Sequence, residues 1–204
     1  MNAQLLAEVQ AWIADDPDPK TAAELTGLVA AGDEVTLKKY FAGFLQFGTA
    51  GLRGPIGPGP SCMNRAVVSR AASGIVSFMK KNNLTSVVIG KDARHGSNEF
   101  AQDSAEIFSG AGIKTYLLPR SLPTPVLAFG VRHIGADAGV MITASHNPPR
   151  DNGYKVYDHL GAGIIPPMDK EIAQLIKTAP MADEIKLASG WSEIDITTQY
   201  HQRA

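Results

Sequence analysis

Between Val67 and Ile176 the chain switches repeatedly between helical and strand periodicity, and a chain that does so must stack helices on a sheet. Val67, Ala71, Ile75 and Phe78 recur at the spacing of one helix face, and Val87 to Ile89 form a short apolar run suited to a buried strand. Phe100, Ile107 and Phe108 mark the next helix, and Thr115 to Leu118 the next strand. Thr124 is placed to cap a further helix, with Pro125 in its first turn and Gly135 beyond its end, before a strand at Gly139 to Thr143.

The following apolar run, Tyr154 to Tyr157, is separated from that strand only by the loop 144–151, which is too short for a helical crossover. This pair is therefore expected to be antiparallel, leaving one reversed strand at the edge of an otherwise parallel sheet. Pro166 and Pro167 open a last helix carrying Ile172, Leu175 and Ile176, and the stretch from Gly190 to Ala204 shows no clear core of its own.

The front of the chain has a different texture. Leu5, Val9, Trp12 and Ile13 fall at helical spacing until Pro17 and Pro19 break it. Thr21 and Glu24 form a capping-box pattern for a second helix that Gly32 ends, and Asp33 caps a third whose apolar face carries Leu37, Tyr40, Phe41 and Phe44. The expected fold is thus a three-layer α/β/α sandwich with a mixed, mostly parallel sheet, preceded by a helical N-terminal extension. The expected divisions are residues 1–42 for the extension, 43–190 for the α/β domain, and 191–204 for a linker or the start of a truncated second domain.

Charge and cysteine usage narrow the partners. Nineteen Lys and Arg against 20 Asp and Glu give a net charge of −1, which offers no basic field for nucleic acid or an anionic membrane. An anionic ligand must be met by local cations. The single cysteine, Cys62, excludes an internal disulfide and a Cys-rich zinc site, which suits a reducing cytoplasm. The N-terminus has no secretory pattern, and no run approaches ~18 apolar residues, so a soluble cytoplasmic protein is expected.

The stretch Thr143-Ala144-Ser145-His146-Asn147-Pro148 directly follows a buried strand, where α/β folds hold ligands at strand carboxyl ends. Ser145 suits three roles there: nucleophile, hydrogen-bonding turn residue, or phosphate acceptor. Hydrolase chemistry is disfavoured, because the strand-to-helix elbow with flanking glycines is absent and His146 is badly placed as a base for its neighbour. The hairpin returns Lys155 toward the same rim, on the face opposite Tyr154 and Val156. Such a lysine can neutralise a phosphoryl group, exchange a proton with a hydroxyl, or simply be a solvated edge residue. Arg53 lies in a loop containing Gly48, Gly51 and Gly54, and Arg94 follows a strand in Gly90-Lys91-Asp92-Ala93-Arg94. Guanidinium forks suit phosphate oxygens, and glycines let backbone approach an anion closely, although the loop matches neither the P-loop nor the dinucleotide fingerprint.

Together these stretches resemble the phosphohexomutase family (phosphoglucomutases and phosphomannomutases), whose members carry a TASHNP loop, then NG-x-K, with GT-x-G-x-R-G upstream. The matches are Thr143 to Pro148, Asn152-Gly153-Tyr154-Lys155 and Gly48 to Gly54, in the family's order, over roughly residues 44–190. The run Phe47 to Gly54, with Gly59, Met63 and Asn64, looks most like the branch containing phosphopentomutases and glucose-1,6-bisphosphate synthases.

The resemblance implies that Ser145 is the phosphorylated residue and that its phosphate ligates Mg²⁺. It gives proton transfer to Lys155 with His146, and phosphate binding to Arg53, Thr49 and Arg94. It implies a phosphosugar mutase that moves a phosphoryl group between C1 and C6 (or C5) hydroxyls of a sugar phosphate, primed by a bisphosphorylated sugar. The family's DGD-x-DR metal loop and its later sugar- and phosphate-binding loops are absent from these 204 residues. A first domain that needs the C-terminal domains of the same full-length chain, and is inactive alone, is therefore expected. A non-catalytic phosphosugar-binding module of the same fold is the alternative.

Overall fold

Every residue of the strand Ala138–Ile142 is buried, so it must lie inside the sheet with both faces covered. In the computed structural model, which describes residues 2–203, this strand (β4) sits between Ser86–Lys91 (β2) and Asp151–Tyr157 (β5). Leu52–Pro55 (β1) flanks β5, and Lys114–Leu117 (β3) and Ser192–Glu193 (β6) follow β2, giving the order β1-β5-β4-β2-β3-β6. The pairs β2/β4, β2/β3 and β3/β6 are parallel, whereas β4/β5 and β1/β5 are antiparallel. The expected hairpin is present, with Met141 opposite Lys155 and Ile142 opposite Tyr154.

Helices cover both faces. On one lie Arg65–Lys81 (α4), Ser97–Gly110 (α5) and Met168–Lys177 (α7), over Val87, Ile89, Val140, Ile142, Tyr154 and Val156. Thr124–Ile134 (α6) covers Val88 and Met141 on the other face. The expected α/β/α layering and the mixed sheet are observed. The front of the chain supplies Ala3–Asp15 (α1), Pro19–Ala31 (α2) and Glu34–Tyr40 (α3), whose buried Leu5, Val9, Trp12, Leu25 and Leu37 are continuous with the first core.

Several local expectations are corrected. The reversed strand β5 is not the edge, because the glycine-rich stretch read as a loop closes into β1 beside it. Helix α2 is capped by Asp18, whose carboxylate accepts from the Lys20 N–H with Pro19 at the first turn; Thr21 instead donates its hydroxyl back to Asp16. Helix α3 stops at Tyr40, so Phe41 and Phe44 lie beyond it, both packed against Trp12 at centroid distances of 6.3 and 6.2 Å. At α6 the cap position is Pro123, and Thr124 is already helical. The tail from Gly190 onward shares the domain's core: β6 extends the sheet, and Thr197–His201 (α8) follows Ile196, which is 1% exposed in the α6 layer.

Candidate active site

The parallel strands β2 and β4 end side by side, and the segment leaving β4 turns over before entering β5. Within this loop Thr143 N–H donates to the Gly153 carbonyl at 3.0 Å, closing the hairpin, and Thr143 Oγ1 accepts from the Ser145 N–H at 2.9 Å. Ser145 is exposed and has φ of +57°, a left-handed conformation that costs a non-glycine residue ~1–2 kcal/mol. Asn147 N–H donates to the Ala144 carbonyl, and its side-chain amide donates to Asp151 at 2.9 Å.

Two cations share the α6 face of the adjoining hairpin. Arg53 pairs with Gly153, and Lys155 lies two residues further along β5, so both side chains leave the sheet on the same side. A side chain at Gly153 would meet the Thr143 carbonyl at 2.6 Å and Arg53 Cγ at 3.1 Å, so the Arg53 stem lies across this position at the root of the Ser145 loop. Among the described residues no carboxylate pairs with either cation, and Arg53 Nε is buried without a hydrogen-bond partner. Burial, and secondarily the Arg53 charge, pull the Lys155 ammonium below the usual lysine range.

Arg94 behaves differently. One terminal nitrogen donates to the carbonyls of Pro148 (2.8 Å) and Asp151 (3.0 Å), the other to those of Ser145 and Asn147 (both 2.9 Å), and Nε faces Asp92 at 3.3 Å. All five guanidinium donors are engaged within the protein, so the fork expected to meet phosphate is not free.

The glycine stretch divides in the same way. Gly48 and Gly51 exchange backbone hydrogen bonds (2.8 and 3.3 Å) around a tight turn with Thr49 and Ala50 exposed at its tip. Gly51 has φ of +74°, and a Cβ there would overlap the Tyr154 carbonyl and touch Lys155 Cα, so this glycine lets the turn pack against β5. Gly54 faces Leu45, and only Gly48 looks onto open space.

The structure therefore brings Arg53 and Lys155 together beside the Ser145 loop, sets the turn bearing Thr49 against Lys155, leaves His146 exposed on the loop, and turns Arg94 inward. Sequence reasoning gave no role to Asn152, which is fully buried and donates to the His95 carbonyl and to Ser97 Oγ, or to Asp92, which accepts from Ser97 Oγ and the Arg94 N–H. A short polar residue directly after a strand, or one heading a hairpin's return strand, was the available signal for both. The described residues contain no group of three or more His, Cys, Asp or Glu able to hold a metal, so those present do not by themselves fit a Mg²⁺ site. Neither the cavity of about 330 Å³ beside Phe44 and Val67 nor that of about 700 Å³ between Phe129 and Tyr200 is lined by any candidate residue, and no described helix is long and apolar enough to cross a membrane.

An α/β domain with uncompensated cations beside a strained serine at its strand ends has the build of a domain that handles phosphoryl groups. The chain belongs to the phosphoglucomutase/phosphomannomutase family: residues 45–183 match the model described as "Phosphoglucomutase/phosphomannomutase, alpha/beta/alpha domain I". It is 55% identical over 118 residues to a Haemophilus influenzae protein named "Probable phosphomannomutase", covering 56% of this chain and 24% of that one. It is 40% identical over 187 residues to the phosphopentomutase of Mus musculus, covering 87% of this chain and 30% of that one. A crystal structure from Thermus thermophilus designated a phosphomannomutase superposes with a TM-score of 0.71 at 32% identity, covering 78% of this chain and 35% of that one. The chain thus spans about a quarter to a third of the length of these relatives.

Proposed function

We propose that this chain is the phosphoserine-bearing first domain of a phosphosugar mutase, with Ser145 as the phosphoryl carrier. The observation that carries the reading is the pair Arg53 and Lys155, desolvated in part, unmatched by any carboxylate among the described residues, and set at the root of the loop that displays Ser145. Two such cations favour an anion between them, and a phosphate dianion satisfies both.

The chemistry follows from these roles. A sugar hydroxyl attacks the phosphoryl group on Ser145; the new P–O bond forms to the sugar as the bond to Ser145 Oγ breaks. The hydroxyl proton passes to Lys155, whose lowered proton affinity suits it to hold and return a proton, with His146 as its exposed neighbour on the loop. Arg53 neutralises the phosphoryl oxygens on the Ser145 side. The bisphosphorylated sugar then turns over, Ser145 Oγ takes the other phosphoryl group, and the proton returns to the sugar oxygen released. Positioning and charge stabilisation, rather than covalent activation, supply the rate.

Residues 43–190 are read as the catalytic domain, 1–42 as its helical extension, and 191–204 as the passage toward further domains of the same protein. Those domains supply the Mg²⁺ carboxylates and the contacts that choose among glucose, mannose and pentose phosphates, and a cytoplasmic location follows from that metabolic role. The decisive test is Ser145→Ala in the complete protein: mutase turnover with a bisphosphate primer should fall by about 10⁴-fold or more while the fold persists. Mass spectrometry should place the phosphate of the unmodified protein on Ser145, and undiminished turnover in the variant would falsify the phosphoserine mechanism.

A further inference from the structure

We infer that Arg94 is a positioning residue, and not a phosphate ligand: its guanidinium is the hub that holds the 143–151 loop in the one conformation that displays Ser145. The inference rests on the phosphoserine reading for its functional consequence and on hydrogen-bond geometry for its structural one. Four carbonyls, those of Ser145, Asn147, Pro148 and Asp151, converge on two nitrogens within 2.8–3.0 Å, and the Arg94 side chain is only 16% exposed. Carbonyl dipoles pointing at one spot repel one another, so this curl of backbone needs a cation with several donors at its centre. A planar fork with fixed donor directions reaches four acceptors at once, which the single nitrogen of lysine cannot.

The hub is itself anchored. Asp92 faces Arg94 Nε, and its other oxygen accepts from the Arg94 N–H at 3.0 Å and from Ser97 Oγ at 2.8 Å. Ser97 Oγ also accepts from Asn152 Nδ2 at 3.0 Å, and Asn152 Oδ1 accepts from the Gly153 N–H at 2.7 Å. A continuous polar chain thus runs from the end of β2, through the start of α5, to the strand opposite Arg53. It accounts for the left-handed Ser145: a strained residue persists only where its surroundings over-determine it. Because Ser145's own carbonyl is one of the four acceptors, loss of the fork releases the residue that carries the phosphoryl group.

The test uses the complete protein carrying this chain, as wild type, Arg94→Lys and Arg94→Ala. Hydrogen exchange of the Ser145, Asn147 and Asp151 amides should accelerate about tenfold or more in both variants, with the amides of β2 and β4 unchanged. Phosphorylation of Ser145 by a sugar bisphosphate, followed by mass spectrometry, should slow by about a hundredfold while the KM for the sugar phosphate changes little. Added guanidinium chloride at millimolar concentration should restore part of the rate in Arg94→Ala and none in Arg94→Lys, whose ammonium fills the hub. Unaltered loop exchange in both variants overturns the inference, and so does a raised KM with an unchanged phosphorylation rate, which is the signature of a phosphate ligand. A wild type that takes no phosphate on Ser145 sinks the mutase reading instead, and loop exchange then decides the role of Arg94 by itself.

Discussion

Two rim loops flank the hairpin of β4 and β5, and they are held in opposite ways. The 143–151 loop is shaped by side chains: Thr143, Asn147, Asp151 and above all Arg94 donate or accept to fix a backbone that has little packing of its own. The 48–51 turn is shaped by the absence of a side chain, since Gly51 lets it lie directly on the Tyr154 carbonyl. The contrast separates cations that build the site from cations that serve it. Arg94 has spent its donors on the loop, whereas Arg53, at the start of the glycine-shaped strand, has not. A motif arginine is thus best classified by counting which of its donors are still unused.

The largest effect should come from breaking the glycine-shaped side. Gly51→Ala places a Cβ into backbone at a φ of +74°, combining left-handed strain with an overlap that neither strand can relieve without shifting β1 from β5. Destabilisation of about 3–4 kcal/mol is expected. Gly48→Ala, with open space around the new methyl group, should change stability by less than about 0.5 kcal/mol. Chemical denaturation of the two variants side by side checks this. Equal effects would mean that the two glycines serve ligand approach alike, and that the packing role assigned to Gly51 is wrong.

A smaller effect should appear in the titration of Lys155. Its affinity for a proton is lowered mainly by burial and secondarily by Arg53, so the folded protein gives up this proton more readily than the unfolded chain. The sign follows from linkage: the charged ammonium penalises the fold at neutral pH, and the penalty fades as pH rises through the lowered folded value toward the ordinary 10.5. Lys155→Met should therefore compare best with wild type near pH 7, with its relative advantage shrinking in the alkaline range just below 10.5. Arg53→Gln should raise the Lys155 pKa part of the way back, and a phosphoryl group on Ser145 should raise it further. An NMR titration of the Lys155 side chain reads all three states. No response to loss of Arg53 would separate the two cations and break the shared-anion reading.

The layers, the hairpin and the two cations beside it were legible in the sequence because each follows from a short-range rule: period, loop length, strand alternation. Lys155 could be placed on a face by counting from Tyr154 alone. What escaped was decided at long range. That 47–56 supplies an edge strand depends on β5 offering a free edge beside it, and its glycine density hid the pairing. That Arg94 turns inward depends on four carbonyls contributed from more than fifty positions away. Ile196, in a segment without its own pattern, is buried only because α6 leaves room for it. The short turn residues that wire Asp92 to Asn152 carry no periodicity, so no reading of hydrophobic pattern reaches them.

The smallest effect sharpens the comparison most directly, because it isolates the strain held by the side-chain-shaped loop. Ser145→Ala and Ser145→Gly both remove the hydroxyl, and both should abolish phosphate acceptance. They differ in what they do at a φ of +57°. Alanine keeps a Cβ and therefore keeps the left-handed penalty, whereas glycine relieves ~1–2 kcal/mol of it and gives back ~0.5–1 kcal/mol as extra freedom in the unfolded chain. The glycine variant should accordingly be more stable than the alanine variant by roughly 0.5–1 kcal/mol, and slightly more stable than the wild type. In an Arg94→Ala background the loop is free to relax, so the gap between glycine and alanine at position 145 should close. Thermal or denaturant unfolding of these four variants forms a double-mutant cycle whose coupling term measures how much of the strain at Ser145 is imposed by Arg94. A gap that persists unchanged without the guanidinium would show that the left-handed turn is set by the local Thr143 and Asn147 bonds, and the hub would then be a bystander to the conformation of the phosphoryl carrier.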